Sequence, residues 1–403
     1  MMDVLQSGLA PSAERNTNAR VHTASVFPQA PIKRILFVTP RYFPTVGGVQ
    51  THVYQVSRRL AKVGIDVTVL TTNPGYRLAA EEVVEGIRIR RVPAWPVNGD
   101  FYFAPQIYPI IRNGSWDLIH VQSYHTFVAP LAMWAAWRSS MPYVTTFHGG
   151  GHSSQWRNSI RGMQQLMLRP FLARADKLVA ISDFEIPLLS RRLRLPENQF
   201  TLIPNGADLP NLNLGEGESV PVENGLIVSI GRLEQYKGHQ RAIAALPKIL
   251  EQRPDAHLWI AGKGPYESKL WELAHQIGVA DRVDIHAIPA SDRQRMAREL
   301  SKAALVVLFS EFETHPIAVL EAVSLGRPVL VTDTSGLSEL AQKGLGRAIP
   351  LKSTPSQIAE AIVDQLQQPQ KQIQINLPTW DECAEGLLSL YSNIVARRTA
   401  CIS

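Results

Sequence analysis

At 403 residues the chain exceeds the size at which one hydrophobic core usually keeps growing, so two domains are expected. Hydrophobic residues make up 45% and charged residues 19%, an ordinary soluble composition, with no apolar run of membrane-span length and no apolar segment of secretory type near the N-terminus. The net charge of +6 is uneven: residues 33–205 hold 20 Lys/Arg against 10 Asp/Glu, and residues 206–403 hold 19 against 23.

Residues 1–32 are polar, unperiodic and contain Pro11, Pro28 and Pro31, which predicts a flexible extension. From Arg34 to Thr39 the chain reads as a buried parallel strand, followed by Gly47-Gly48 and an amphipathic helix from about Val49 to Val63. Further apolar runs start at Asp66, Ile87, Asp117, Tyr143, Lys177 and Phe200, several of them separated by helical stretches. Such alternation predicts a parallel sheet covered on both faces. Residues 208–224 are rich in Asn, Gly, Glu and Pro and read as a linker. A second strand series begins at Leu226, His257, Val283, Ala304 and Val329, which predicts a second doubly wound α/β domain over 225–375. Residues 376–403 hold a terminal helix whose destination the pattern does not show. Cys383 and Cys401 form neither a metal spacing nor a disulfide framework, which fits a reducing cytoplasm.

Two doubly wound domains create a cleft, and open α/β sheets bind ligands at the carboxyl ends of their strands. The motif loops after Ile230, Ala261, Phe309 and Thr332 all sit at such ends. Gly231-Arg232 through Lys237-Gly238 places two cations in one loop, where an Arg fork and a mobile Lys charge suit phosphate oxygens. Two solvated surface cations are the plainer alternative. Glu313 and Glu321 stand eight residues apart across a loop-to-helix junction, with Pro316 expected in the first helical turn and Thr314 or His315 as its cap. A helix N-terminus offers N–H groups to phosphate, and a carboxylate beside it accepts hydroxyl hydrogen bonds. Gly262 reads as a tight turn, and Gly47-Gly48 as a phosphate cradle or a point of close sugar approach. His148 follows a predicted strand and precedes three glycines, which leaves it open between a structural and a reactive role. His22, His52, His125, His152 and His315 show no zinc spacing. Dinucleotide, serine-hydrolase and P-loop fingerprints are absent.

The segment from Trp156 to Lys177 interleaves Arg157, Arg161 and Arg169 with Ile160, Met163, Leu166, Met167 and Phe171. It is either a helix packing its apolar stripe on its own domain or a basic amphipathic face toward anionic lipid. Nucleic-acid modules are absent, so nucleic acid is not an expected partner.

Taken in order, Gly47-Gly48-Val49, Phe147-His148-Gly149, Ile203 through Asp208, Gly231-Arg232 through Lys237-Gly238, Ala261 through Pro265, Glu313 with Glu321, and Ser335 through Glu339 resemble glycosyltransferase family 4, of the bacterial polysaccharide-assembly type, over nearly all of 33–391. The resemblance implies a GT-B fold, two Rossmann-like domains facing a cleft, with the terminal helix crossing back to the first domain. It implies a retaining, metal-independent hexosyl transfer from a nucleoside-diphosphate sugar to a saccharide or lipid-linked acceptor, with no cofactor. The first domain would bind acceptor and the second the nucleotide. Independently of the resemblance, the net charge of +10 over residues 33–205 points to an anionic partner there and to a peripheral contact on the inner membrane face. Arg232 and Lys237 would hold the diphosphate, Glu313 the sugar and Glu321 the ribose. Ile317 and Ala318 would offer N–H groups, Gly48 would lie at the donor–acceptor junction and His148 beside the sugar. An epimerase, a phosphorylase or a non-catalytic sugar-nucleotide binder would share this frame. Thr314-His315-Pro316 stands where the family usually has Gly-Phe-Gly, and Ser335-Gly336 where it commonly has Gly-Gly.

Overall fold

The computed structural model describes residues 32–400 apart from 46, 98–101, 125, 150–154, 208, 210–211, 213–219, 290–291 and 371–375, and leaves the side chains of 155–162 undescribed. The first sheet contains β1 (Arg34–Val38), β2 (Asp66–Thr72), β3 (Glu81–Val84), β4 (Ile87–Val92), β5 (Leu118–Gln122), β6 (Tyr143–Thr146), β7 (Lys177–Ala180) and β8 (Phe200–Leu202). It is wound with α1 (Gly48–Lys62), α2 (Ile107–Asn113), α3 (Val128–Arg138), α4 (Gln155–Leu172) and α5 (Glu185–Leu193). The second sheet contains β9 (Glu223–Ile230), β10 (His257–Ala261), β11 (Val283–His286), β12 (Ala303–Leu308), β13 (Val329–Asp333) and β14 (Arg347–Pro350). Its helices are α6 (His239–Gln252), α7 (Glu267–Gln276), α8 (Arg293–Ser301), α9 (Ile317–Ser324), α10 (Ser335–Gln342) and α11 (Pro355–Gln367), and α12 (Trp380–Ala400) closes the chain.

Strand orders are β3-β4-β2-β1-β5-β6-β7-β8 and β11-β10-β9-β12-β13-β14. Every pairing is parallel except β3 with β4. The winding direction reverses between β1 and β5 in one sheet and between β9 and β12 in the other. Those switch points are where an open α/β sheet leaves a crevice. The central strands are buried on both faces, which is why they read as unbroken apolar runs.

Three expectations need correction. Ile32 is buried in the first domain's core and is not part of a flexible extension; residues 1–31 lie outside the described set. β9 begins at Glu223, inside the stretch read as linker, because Glu223 N–H donates to Lys302 O and continues the ladder toward β12. The sheet is not wholly parallel: β3 is an exposed antiparallel edge strand on β4.

α12 returns to the first domain. Trp380, Cys383, Leu387, Tyr391 and Ile394 recur at helical spacing and join Ile35, Phe37, Val53 and Leu60 in one buried cluster. Polar contacts fix its register: Tyr391 Oη lies 2.6 Å from His120 Nδ1, Arg59 Nε donates to Asp381 at 2.5 Å, and Arg398 forks onto Asp176 at 2.9 Å and 2.9 Å.

Candidate active site

The loop after β9 and the loop after β12 emerge side by side at the second switch point and are stitched together, with Glu311 N–H donating to Tyr236 O at 2.8 Å. Lys237 and Glu313, far apart in sequence, thereby meet: Lys237 Nζ donates to Glu313 Oε1 at 2.5 Å. Both side chains are largely buried, at 16% and 10% exposure. Burial alone lowers the Lys237 pKa, but the Glu313 carboxylate and Tyr236 outweigh it and the net shift is upward, so the ammonium is kept charged. Ser310 Oγ donates to the same carboxylate oxygen at 2.9 Å. Glu313 N–H donates to Ser335 Oγ at 2.9 Å. Ser335, at φ 49°, thus stands in for a glycine in backbone shape and adds a hydroxyl that glycine lacks. Gly336 remains obligatory, because a Cβ there would fall 1.8 Å from Thr314 O.

Arg232 is about half exposed and reaches Glu234 and the Tyr236 hydroxyl, at 3.6 Å and 3.5 Å. Its loop is anchored by buried His239, whose Nδ1 lies 2.8 Å from Ser229 Oγ and whose Nε2 lies 3.3 Å from Arg232 O. Gly231 and Gly262 pack backbone to backbone, since a Cβ on Gly262 would stand 1.9 Å from Gly231 O. The Gly262 loop therefore supports the cation loop from behind.

The helix after Glu313 starts later than expected. Pro316 is the N-cap of α9, and neither Thr314 nor His315 caps it. Thr314 Oγ1 instead donates across the cleft to Gly149 O at 2.8 Å, and His315 is half-buried, with desolvation then the Lys343 charge lowering its pKa to about 4. Thr314, one of the residues that depart from the family pattern, thus forms an inter-domain contact. α9 carries Ile317 and Ala318 in its first turn. Ile317 faces α1, where a Cβ on Gly48 would stand 3.9 Å from Ile317 Cδ1. Gly47 caps α1, so two helix N-termini without side-chain caps approach each other across the cleft.

His148 sits at φ 47°, 9% exposed, with Nε2 2.6 Å from Gln122 Oε1. Its ring packs 4.7 Å from His52, edge to face, and His52 Nδ1 lies 2.8 Å from Asn205 Oδ1. Burial pushes the His52 pKa down to about 4 against that hydrogen bond, which keeps the ring neutral at pH 7. Glu185 is buried next door, where it accepts N–H bonds from Ile181 at 2.9 Å and Gly149 at 3.3 Å. Desolvation pushes its pKa up to about 7 against those two donors, helped by the nearby Glu339. Phe184 N–H donates to Glu339 at 2.8 Å, which makes a second bridge between the domains.

Glu321 is buried and receives Arg293 Nη2. Sequence reasoning missed Arg293, Ser310, Ser335 as a hydrogen-bond acceptor, and Glu185. Arg293 opens a charged helix that reads as solvated, so no local signal marked it. Arg169 is exposed on α4 of the first domain, its Nη2 3.4 Å from Arg194 O, and has no contact described with Glu313 or Glu321 of the second. The backbones of Arg157 and Arg161 belong to α4, but their side chains, like His22, His125, His152 and Cys401, lie outside the described residues. Among the described residues no group of three or more His, Cys, Asp or Glu is placed to hold a metal ion.

Two Rossmann-like domains facing a cleft, with a C-terminal helix returning to the first, make the GT-B fold. The model of Glycosyltransferase Family 4 matches residues 46–210, that of Glycosyl transferases group 1 matches 216–376, and the chain belongs to glycosyltransferase family 4. Relatives include a glycogen synthase of Mycobacterium tuberculosis, 29% identical over 344 residues that span 77% of this chain and 80% of that one. A D-inositol 3-phosphate glycosyltransferase of Nocardiopsis dassonvillei is 25% identical over 398 residues, 87% of this chain and 91% of that one. Among solved structures, the sucrose-phosphate synthase of Thermosynechococcus elongatus superposes with a TM-score of 0.66 at 20% identity, covering 92% of this chain and 98% of that one. Anabaena HepE in complex with UDP and glucose gives 0.65 at 17% identity, covering 92% and 99%.

Proposed function

We propose that this glycosyltransferase moves a hexose from a nucleoside-diphosphate sugar to an acceptor hydroxyl with retention of configuration and without a metal. The observation that carries the reading is the buried Lys237–Glu313 pair at the β9/β12 switch point, flanked by Arg232 and the N-terminus of α9. Lys237 and Arg232 bind the diphosphate and stabilise the charge it gains as the C1–O bond to it breaks. Glu313 holds sugar hydroxyls and Glu321 the ribose, while the N–H groups of Ile317 and Ala318 meet the distal phosphate. The acceptor oxygen forms its bond to C1 on the same face, and its proton passes to the departing phosphate oxygen. His148, fixed by Gln122, lines the sugar pocket beside Gly47 and Gly48. The UDP and glucose of the HepE complex and the names of the sequence relatives support this donor class.

The proposed acceptor is a lipid-linked or growing polysaccharide, reached from an anionic membrane surface. α3 and α4 bury Met133, Leu168 and Leu172 inward yet expose Phe127, Trp134, Trp137, Met163, Leu166 and Met167, the last at 71%. Residues 118–175 contain five Arg and no Asp or Glu. An apolar stripe in an acid-free basic field suits anionic headgroups and acyl chains. No described helix is long and apolar enough to cross a membrane.

The test is calorimetric binding of UDP, GDP and ADP, with and without magnesium, to wild type and Glu321→Ala, followed by product analysis with the matching sugar nucleotides. Metal-independent binding of one nucleotide, weakened in the variant, and transfer with the donor's anomeric configuration retained support the proposal. Epimerised donor, phosphate-dependent release or tight binding without product would replace it with the epimerase, phosphorylase or binding-protein reading.

A further inference from the structure

Arg293 is the first residue of α8, whose cap Asp292 accepts the Arg295 N–H at 3.0 Å. Its Nη2 engages Glu321, and its Nε is buried without a hydrogen-bond partner. A buried guanidinium N–H without an acceptor is rare and costly in a folded protein. It stands beside a buried carboxylate on α9, across β12, at the switch-point cleft.

The two groups are complementary in a way that points to one ligand feature. A carboxylate only accepts hydrogen bonds, and a guanidinium only donates them. A vicinal diol does both: its hydrogens suit Glu321 and its lone pairs suit Arg293. A ribose without the hydroxyl that meets Arg293 leaves its buried Nε–H unsatisfied, which is a strong form of hydrogen-bond discrimination.

We propose that Arg293 is a specificity-determining residue for the donor ribose. Its Nη2 fixes the rotamer of the Glu321 carboxylate, and its Nε donates to a ribose hydroxyl oxygen, so the pair reads the intact diol. The proposal rests on the assignment of Glu321 to the ribose.

Calorimetry of the tightest-binding nucleotide among UDP, GDP and ADP, against its 2′-deoxy form, tests it. Wild type is expected to prefer the ribonucleotide by ~10- to 100-fold, the scale of one charge-assisted hydrogen bond. Arg293→Met and the charge-preserving Arg293→Lys, which keeps a cation but not the fork, should bring that ratio to about threefold or less, mainly by weakening the ribonucleotide. Both variants keeping the wild-type ratio, or weakening both nucleotides equally, would overturn the proposal. Glu321→Gln separates the premises: a ratio lost in Arg293 variants and also in Glu321→Gln supports both, whereas a ratio untouched by Glu321→Gln removes the ribose from that carboxylate. No ribose preference in wild type, or no binding by any nucleotide, sinks the pair as a diol reader.

Discussion

Replacing Lys237 by Met should damage stability and turnover by separable routes. Lys237 Nζ is 2.5 Å from Glu313 Oε1, with the two side chains 16% and 10% exposed. Removing one partner of a buried pair leaves the other charge unmatched, which typically costs 3–5 kcal/mol. Residual exposure and the Ser310 hydroxyl on the same oxygen put the cost at the low end, about 3 kcal/mol. For a domain of this size that lowers the melting temperature by roughly 6–12 °C. Turnover should fall on the order of 10²- to 10³-fold, as for loss of one preorganised charge-stabilising donor. In the double variant Lys237→Met/Glu313→Gln the unmatched charge is gone. Most of the melting temperature should return while turnover stays at or below the single-variant level. Scanning calorimetry and a sugar-nucleotide turnover assay on all four proteins form the cycle. Lys237→Met with an unchanged melting temperature and turnover within about threefold of wild type would refute the argument, as would a double variant that regains activity.

Burial raises the Glu185 pKa to about 7, above the ordinary 4.5 of a glutamate, so the folded state binds the extra proton and stability from this group falls as pH rises between those values. Glu185→Gln removes the titration but keeps only one of the two acceptor oxygens and turns an amide NH2 toward the Gly149 N–H, so its melting temperature should lie below wild type near pH 5 and gain on it by pH 8; a difference from wild type that does not change with pH would remove Glu185 as the cause. His52, His239 and His315 have folded pKa values lowered to about 4 by burial, so their contribution is full above about 6.5 and is lost as pH falls toward 4; thermal scans across that window should show the loss. Leu166→Glu/Met167→Glu should abolish sedimentation with anionic vesicles while leaving the melting temperature within about 2 °C, because both side chains are exposed; retained sedimentation would move the membrane contact elsewhere. Tyr391→Phe strands His120 Nδ1 in the core and should cost about 1–3 kcal/mol, read as lost denaturation midpoint.

Most strands were legible because burial on both faces writes them as Val, Ile and Leu runs with turns between. β3 was not: Glu81-Glu82-Val83-Val84 is an exposed edge and carries no core signature. β14, four residues ending in Pro350, is too short to stand out. In the site, the Lys237 loop and Glu313 were recognisable separately as features at strand ends. Their contact depends on β9 and β12 being neighbours, which is a property of strand order. The start of α9 was misplaced because a threonine before a proline reads as a cap. Here the hydroxyl of Thr314 is committed to Gly149 of the other domain, a partner 165 residues away. Arg293 was hidden for the same reason: whether an Arg on a charged helix points out or in is set by what packs beside it.

α12 has a consequence for the order in which the protein matures. The strands of the first domain leave the ribosome early, yet one side of their sheet is sealed by Trp380, Leu387 and Tyr391, which are synthesised after the whole second domain. Domains usually complete themselves in order of synthesis. Here the first must wait with an apolar face uncovered until the second has been made, so a nascent chain lacking its last helix is the form most exposed to chaperones, proteases and its own copies.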